Sequence, residues 1–130
     1  MTIETLLSNA RSTFDLRETT HQESLYTLTE ALLEMSHLPS EELYRAARRS
    51  DTPLEFKLAA KLVDSRQFVL KTEASFSIGV VYAMWGEHNR LLPKSKNNPN
   101  GEDSLRVKIQ QLDWVTQDTP LDWTLYVVDD

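Results

Sequence analysis

An α/β fold, mostly helical, is the class this sequence predicts: about four helices, then a strand, a crossover helix and a second strand. Three observations predict it. Apolar residues recur at helical spacing through residues 1–73. Two stretches, Phe76-Ser-Ile-Gly-Val-Val-Tyr-Ala-Met-Trp85 and Trp123-Thr-Leu-Tyr-Val-Val128, are apolar at nearly every position, the pattern of parallel strands covered on both faces. Between them lies one helical pattern, and a strand, helix, strand order gives a parallel pair with a right-handed crossover. The expected division is a helical region over 1–73 and a strand-helix-strand unit over 74–130.

The first helix places Ile3, Leu6, Leu7, Ala10 and Phe14 on one face, with Thr2 as its cap. The second opens at Thr20-His-Gln-Glu23, a capping box in which the threonine oxygen and the glutamate each satisfy an exposed amide. Its stripe is Leu25, Leu28, Leu32 and Met35, and Pro39 lies past its end. Ser40 caps a short third helix that turns Leu43, Ala46 and Ala47 inward. Arg45, Arg48 and Arg49 fall in its last turns, where cations complement the helix dipole; contact with an anionic partner is the other use for them. Thr52-Pro-Leu-Glu55 is a second capping box with proline at the first helical position. It starts a fourth helix from Pro53 towards Leu70, with Leu54, Leu58 and Leu62 as its main stripe and Phe56, Ala59 and Val63 widening it. Asp64-Ser65 is the place for a break. No repeat of solenoid length is present.

Beyond the first strand, Leu91-Leu-Pro-Lys-Ser-Lys-Asn-Asn-Pro-Asn-Gly101 favours turns over helix or strand. Asn100 or Asp103 caps the crossover helix, whose buried side is Leu105, Ile109, Leu112 and Val115. Trp114 and Trp123 are expected to pack that helix onto the strands. Asp118-Thr-Pro-Leu-Asp122 then turns the chain into the second strand. Parallel strands end at one edge, which brings Trp85-Gly-Glu87-His88 and Asp129-Asp130 together where open α/β sheets hold their ligands.

Composition narrows the function classes. A length of 130 residues is one domain, or a helical piece joined to part of another. The net charge of −6, from 20 acidic and 14 basic residues, argues against a general nucleic-acid binder, which needs clustered cations to neutralise phosphates. The absence of cysteine excludes disulfides, thiolate zinc sites and cysteine nucleophiles. Glu87 and His88 are neighbours of the kind that do acid-base work or hold a metal, but His21 and His37 fall on a different element, so no metal site with three or four converging ligands is expected. Lys94 and Lys96 in the loop are solvated, phosphate contact being the alternative. The start, Met-Thr-Ile-Glu-Thr, lacks the basic and apolar regions of a signal, and no apolar run reaches membrane-spanning length, so a cytoplasmic protein is expected.

Ser77-Ile-Gly-Val-Val-Tyr-Ala-Met-Trp-Gly-Glu87, followed by a helix and then Leu125-Tyr-Val-Val-Asp-Asp130, resembles the opening of the family-2 nucleotide-sugar glycosyltransferases, which have the GT-A fold. The resemblance covers residues 76–130 and leaves the helical region as an appended part. It implies that the two strands are the truncated start of a Rossmann-like GT-A sheet, and that the partner is a nucleotide-sugar of the uridine diphosphate type. By position, Trp85 falls where the family stacks an aromatic ring on the base. Ala83 falls on the strand tip whose backbone faces the nucleotide, and Glu87 on the acidic residue just after that strand. Asp130 falls where a carboxylate accepts a hydrogen bond from the base, with Asp129 beside it. A flat ring and a carboxylate suit a base that stacks and has an N–H to donate. Trp85 stands where the family usually has tyrosine, Gly86 where it usually has asparagine, and the loop is longer. The Asp-x-Asp motif that holds the divalent metal, Mg or Mn, and the catalytic base are expected only in a full-length member. No catalytic residue, metal site or cofactor is therefore assigned to this chain, and alone it is expected to bind nucleotide weakly and to be inactive. The alternative is a non-enzymatic interaction or regulatory module, in which Trp85 and the neighbouring apolar surface meet a protein partner or a second copy.

Overall fold

The computed structural model describes residues 2–15, 18–35, 39–71, 75, 77–84 and 103–129, with the backbone alone for Met84, Asp103, Ser104, Leu105 and Asp129. The elements run α1 (Ile3–Asn9), α2 (Thr19–Glu34), α3 (Ser40–Arg48), α4 (Leu54–Leu70), β1 (Ser77–Met84), α5 (Asp103–Thr116) and β2 (Asp122–Asp129). They form two compact units, Met1–Gln67 and Phe68–Asp130, so the last turn of α4 falls in the second.

The first unit is built on apolar stripes from all four helices. Ile3 and Leu6 of α1, Leu25, Leu28 and Leu32 of α2, Leu43 and Ala46 of α3, and Phe56, Ala59, Ala60 and Val63 of α4 form one buried cluster. Thr29 is fully buried within it, and its hydroxyl donates to the Leu25 carbonyl at 2.7 Å, so the polar atom is satisfied inside its own helix.

Helix starts follow the sequence at one place and depart from it at three. Thr2 caps α1: its hydroxyl accepts the Thr5 amide at 3.2 Å. In α2 the cap position is Glu18, with no side-chain cap bond, and Thr20 lies inside the first turn, so the box at residues 20–23 does not open the helix. In α3 the cap position is Pro39, whose carbonyl accepts the Glu42 and Leu43 amides at 3.0 and 3.2 Å; Ser40 is already helical. In α4 the hydroxyl of Thr52 donates to the Ala46 carbonyl in the last turn of α3 and so closes that helix instead of opening the next. The Pro53 carbonyl receives the Phe56 and Lys57 amides, and α4 continues unbroken through Asp64-Ser65.

The buried side of α4 carries Glu55, Phe56, Ala59, Ala60, Val63 and Arg66, while Leu54 is 42% exposed and Leu58 and Leu62 are half-buried. The expected main stripe is thus a flank. The helix is apolar on more than one side, and the side that carries Phe56, Ala59, Ala60 and Val63 is the one that joins the cluster from the other helices.

In the second unit β1 and β2 pair in parallel, from Ser77 opposite Asp122 to Met84 opposite Asp129. Among the described residues, Val69, Val107 and Leu121 are its buried apolar ones. In α5 the inward position is Val107, not the expected Ile109, which is 37% exposed; Leu112, Trp114 and Val115 are half-buried, as is Trp123 of β2. The end of α5 is closed by side chains: Thr116 donates to the Leu112 carbonyl at 2.8 Å and Thr119 to the Thr116 carbonyl at 2.6 Å. Asp118 between them has φ 56°, a left-handed conformation that aspartate tolerates better than branched residues.

The two faces of the strand pair differ. Val80, Tyr82, Trp123 and Leu125 share one face and are half-buried, with Ile78 and Val127 of that face exposed towards its ends, whereas Val81, Tyr126 and Val128 on the other are 69%, 55% and 55% exposed. The expectation of cover on both faces is therefore corrected. One crossover helix can cover one face of a strand pair, and the other needs a second layer.

Candidate functional site

The candidate site is the edge at which β1 and β2 end. The register is unstaggered, with Ala83 opposite Val128 and Met84 opposite Asp129, so the carboxyl ends of the two strands coincide. Ala83 is exposed, on the same face as Val81. Of the five residues the sequence assigns to a nucleotide, the structure thus brings Ala83 and the backbone of Asp129 to one edge, one register step apart. Trp85, Glu87 and Asp130 lie outside the described residues, as do His88, Lys94 and Lys96.

Leading to that edge is an apolar strip that the sequence was expected to bury. Val81 and Tyr126 are register partners, and Ala83 and Val128 form the next pair. Gly79 pairs with Thr124, and the Tyr126 ring reaches back over the glycine: a Cβ built there would lie 3.4 Å from its Cε2 atom. An aromatic ring laid over a glycine restores some of the side-chain cover the strand lacks at that position.

Two constellations in the helical unit carry charge. Glu55, whose side chain is 2% exposed, accepts the Arg11 amide on Oε1 at 3.3 Å and donates its own amide to the Arg11 carbonyl at 3.0 Å. Its Oε2 has no hydrogen-bond partner and lies 3.8 Å from the half-exposed Arg11 guanidinium. A separation of 44 residues puts this clamp beyond any local spacing rule. On α3 the Tyr44 phenol has its pKa held above its ordinary value, chiefly by hydrogen bonding to Asp64, with burial and the Asp64 charge acting the same way and Arg48 against them. The Arg48 guanidinium lies over the Tyr44 ring, 5.9 Å from its centroid.

His21 is structural: its Nδ1 accepts the Asp15 amide at 3.0 Å and its ring lies against Phe14, centroids 6.0 Å apart, so it ties down the joint between α1 and α2. Among the described residues no group of three His, Cys, Asp or Glu side chains is placed to hold a metal ion, and no helix is long and apolar enough to cross a membrane. Comparison with protein-family models, with curated proteins and with solved structures finds no match to this chain.

Proposed function

We propose that residues 76–130 form the nucleotide-binding start of a family-2-like, GT-A-type glycosyltransferase, with the helical region as an appended part. The observation that carries this reading is the unstaggered parallel register that ends β1 at Met84 opposite Asp129. Trp85 and Asp130, the ring and the carboxylate the resemblance assigns to the base, each follow in sequence by one residue. A ligand outside the carboxyl ends of parallel strands is the general arrangement in open α/β sheets. The uncovered face fits the same reading, because a two-stranded parallel sheet is marginal by itself and the sheet of a nucleotide-binding domain adds strands and a second helical layer. Transfer of the sugar is not assigned to these residues; they supply the grip on the donor's base.

Stacking contributes about 1 to 3 kcal/mol per base and a charged hydrogen bond about 1.5 to 3. With the cost of association subtracted, a dissociation constant of roughly a millimolar is expected for uridine diphosphate. Backbone amide shifts followed by NMR, with and without Mg or Mn, test this. Shifts confined to the strand ends, and lost in Trp85→Ala or Asp130→Asn, are the expected result. No shifts at several times that concentration, in a folded sample, would remove the nucleotide from the reading. The exposed Val81, Tyr126 and Val128 favour a second reading, an interaction module that docks this face on another protein. In that case the shifts follow protein concentration and ignore nucleotide.

A further inference from the structure

We propose that the outer face of α3 is a binding site for an acidic peptide segment in extended conformation. Glu41, Tyr44, Arg45, Arg48 and Arg49 line a groove of about 540 Å³ on the helical unit, within the size range of pockets that take compact ligands. The first four recur at the spacing of one helix face, opposite the buried Leu43 and Ala46. This site is separate from the strand edge and does not rest on the nucleotide reading.

The groove is set up for anions in three ways. Arg45 has no carboxylate partner among the described residues. The Arg48 guanidinium lies over the Tyr44 ring, 5.9 Å from its centroid, a contact that positions it and leaves its charge open to an anion. Arg49 is paired with Glu4 at 3.1 Å, but both side chains are well exposed, at 44% and 76%, and an exposed pair of this kind exchanges readily for a better-placed carboxylate.

The spacing suits more than one acidic group. Arg45, Arg48 and Arg49 are spread over about 6 Å of rise, so their guanidinium groups can receive separate carboxylates. Side chains two apart on an extended peptide lie about 7 Å apart on one face, so alternate acidic residues meet both ends of the groove. The chain as a whole carries −6, and Glu41 sits in the groove itself. The net charge opposes a long polyanion or an anionic bilayer, while a short segment is screened from charges farther off than about 8 Å and meets in the groove only the one carboxylate of Glu41 against three arginines.

The test is fluorescence anisotropy of a labelled hexapeptide of alternating glutamate and serine, titrated with the full chain, beside the same peptide with glutamine for glutamate. The glutamate peptide is expected to bind at least about tenfold more tightly, and Arg45→Glu with Arg48→Glu to remove at least about tenfold of its affinity, since charge-assisted pairs are the strong ones. Both arginines are exposed, so the variant keeps its far-ultraviolet circular dichroism. Lys71→Glu with Lys108→Glu, which changes net charge equally at exposed positions that do not line the groove, is expected to leave binding within about twofold. Equal binding of the two peptides, or equal loss in the two double variants, would overturn the proposal. Arginine-dependent retention on phosphatidylserine vesicles without peptide binding would overturn it in favour of a membrane surface, and arginine-dependent binding of inorganic phosphate alone in favour of a simple anion site.

Discussion

At the scale of the residue, Glu55 is the side chain whose role is least visible in sequence. Its position three residues after Thr52 marks a capping box, yet its carboxylate leaves the helix start and holds the amide of Arg11 across the joint between α1 and α2. A buried acceptor that satisfies a backbone donor is expensive to delete, because the donor stays behind without water. Glu55→Ala is expected to cost about 2 to 4 kcal/mol. Glu55→Gln keeps the oxygen that receives the Arg11 amide and loses only attraction to a guanidinium that is 45% exposed, so a cost within about 1 kcal/mol is expected. Urea unfolding of both variants measures the difference. Equal losses would place the stabilisation in the charge pair, and the clamp on the amide would carry little of it.

At the scale of the element, hydrophobic period found the helices and strands but not always which way they face. The stripe of α2 was legible because Leu25, Leu28 and Leu32 recur at helical spacing, and all three are buried. On α4 two apolar stripes overlap, and the period does not choose between them; the buried cluster takes the side with Phe56, Ala59, Ala60 and Val63. On α5 the choice between Val107 and Ile109 rested on a similar ambiguity. The capping departure at Thr52 has a visible cause: the Glu55 amide that its hydroxyl would accept donates instead to the Arg11 carbonyl at 3.0 Å, and the hydroxyl gives its proton to the last turn of α3. The meeting of β1 and β2 at one edge was legible, since strand, helix, strand leaves little choice of direction, whereas the bareness of one sheet face was not, because an apolar strand reads the same whether or not something covers it. Gly79 offers a test of that face. Its backbone does not require a glycine conformation, and an added methyl would meet the Tyr126 ring at 3.4 Å, an ordinary contact with a side chain free to shift. Gly79→Ala is therefore expected to raise stability by about 0.4 to 1 kcal/mol, by restricting the unfolded chain and adding cover to the strand. A loss of stability on thermal unfolding would mean that the face is packed in solution.

At the scale of the whole molecule, the two units differ in what holds them. The helical unit gathers eleven buried apolar residues from four helices into one cluster, while the described part of the strand unit buries Val69, Val107 and Leu121 and leaves a sheet face in water. Hydrophobic stabilisation follows buried apolar area, so the strand unit is expected to open first. The sequence supplies separate probes, because Trp85, Trp114 and Trp123 all lie in residues 68–130, whereas helical circular dichroism comes mostly from α1 to α4. In urea the tryptophan fluorescence transition is expected at lower denaturant than the circular dichroism transition, a departure from two-state behaviour. The same pair of probes locates a ligand. A compound that binds only the folded form raises the midpoint of the unit it binds: at a concentration one hundred times its dissociation constant the gain is about 2.7 kcal/mol. Uridine diphosphate held at the strand edge should move the fluorescence transition and leave the helical one in place, and an acidic peptide held on α3 should do the reverse. Coincident transitions, shifted together by either ligand, would mean that the units unfold as one body, and that the thin core of the strand unit is completed by the helices.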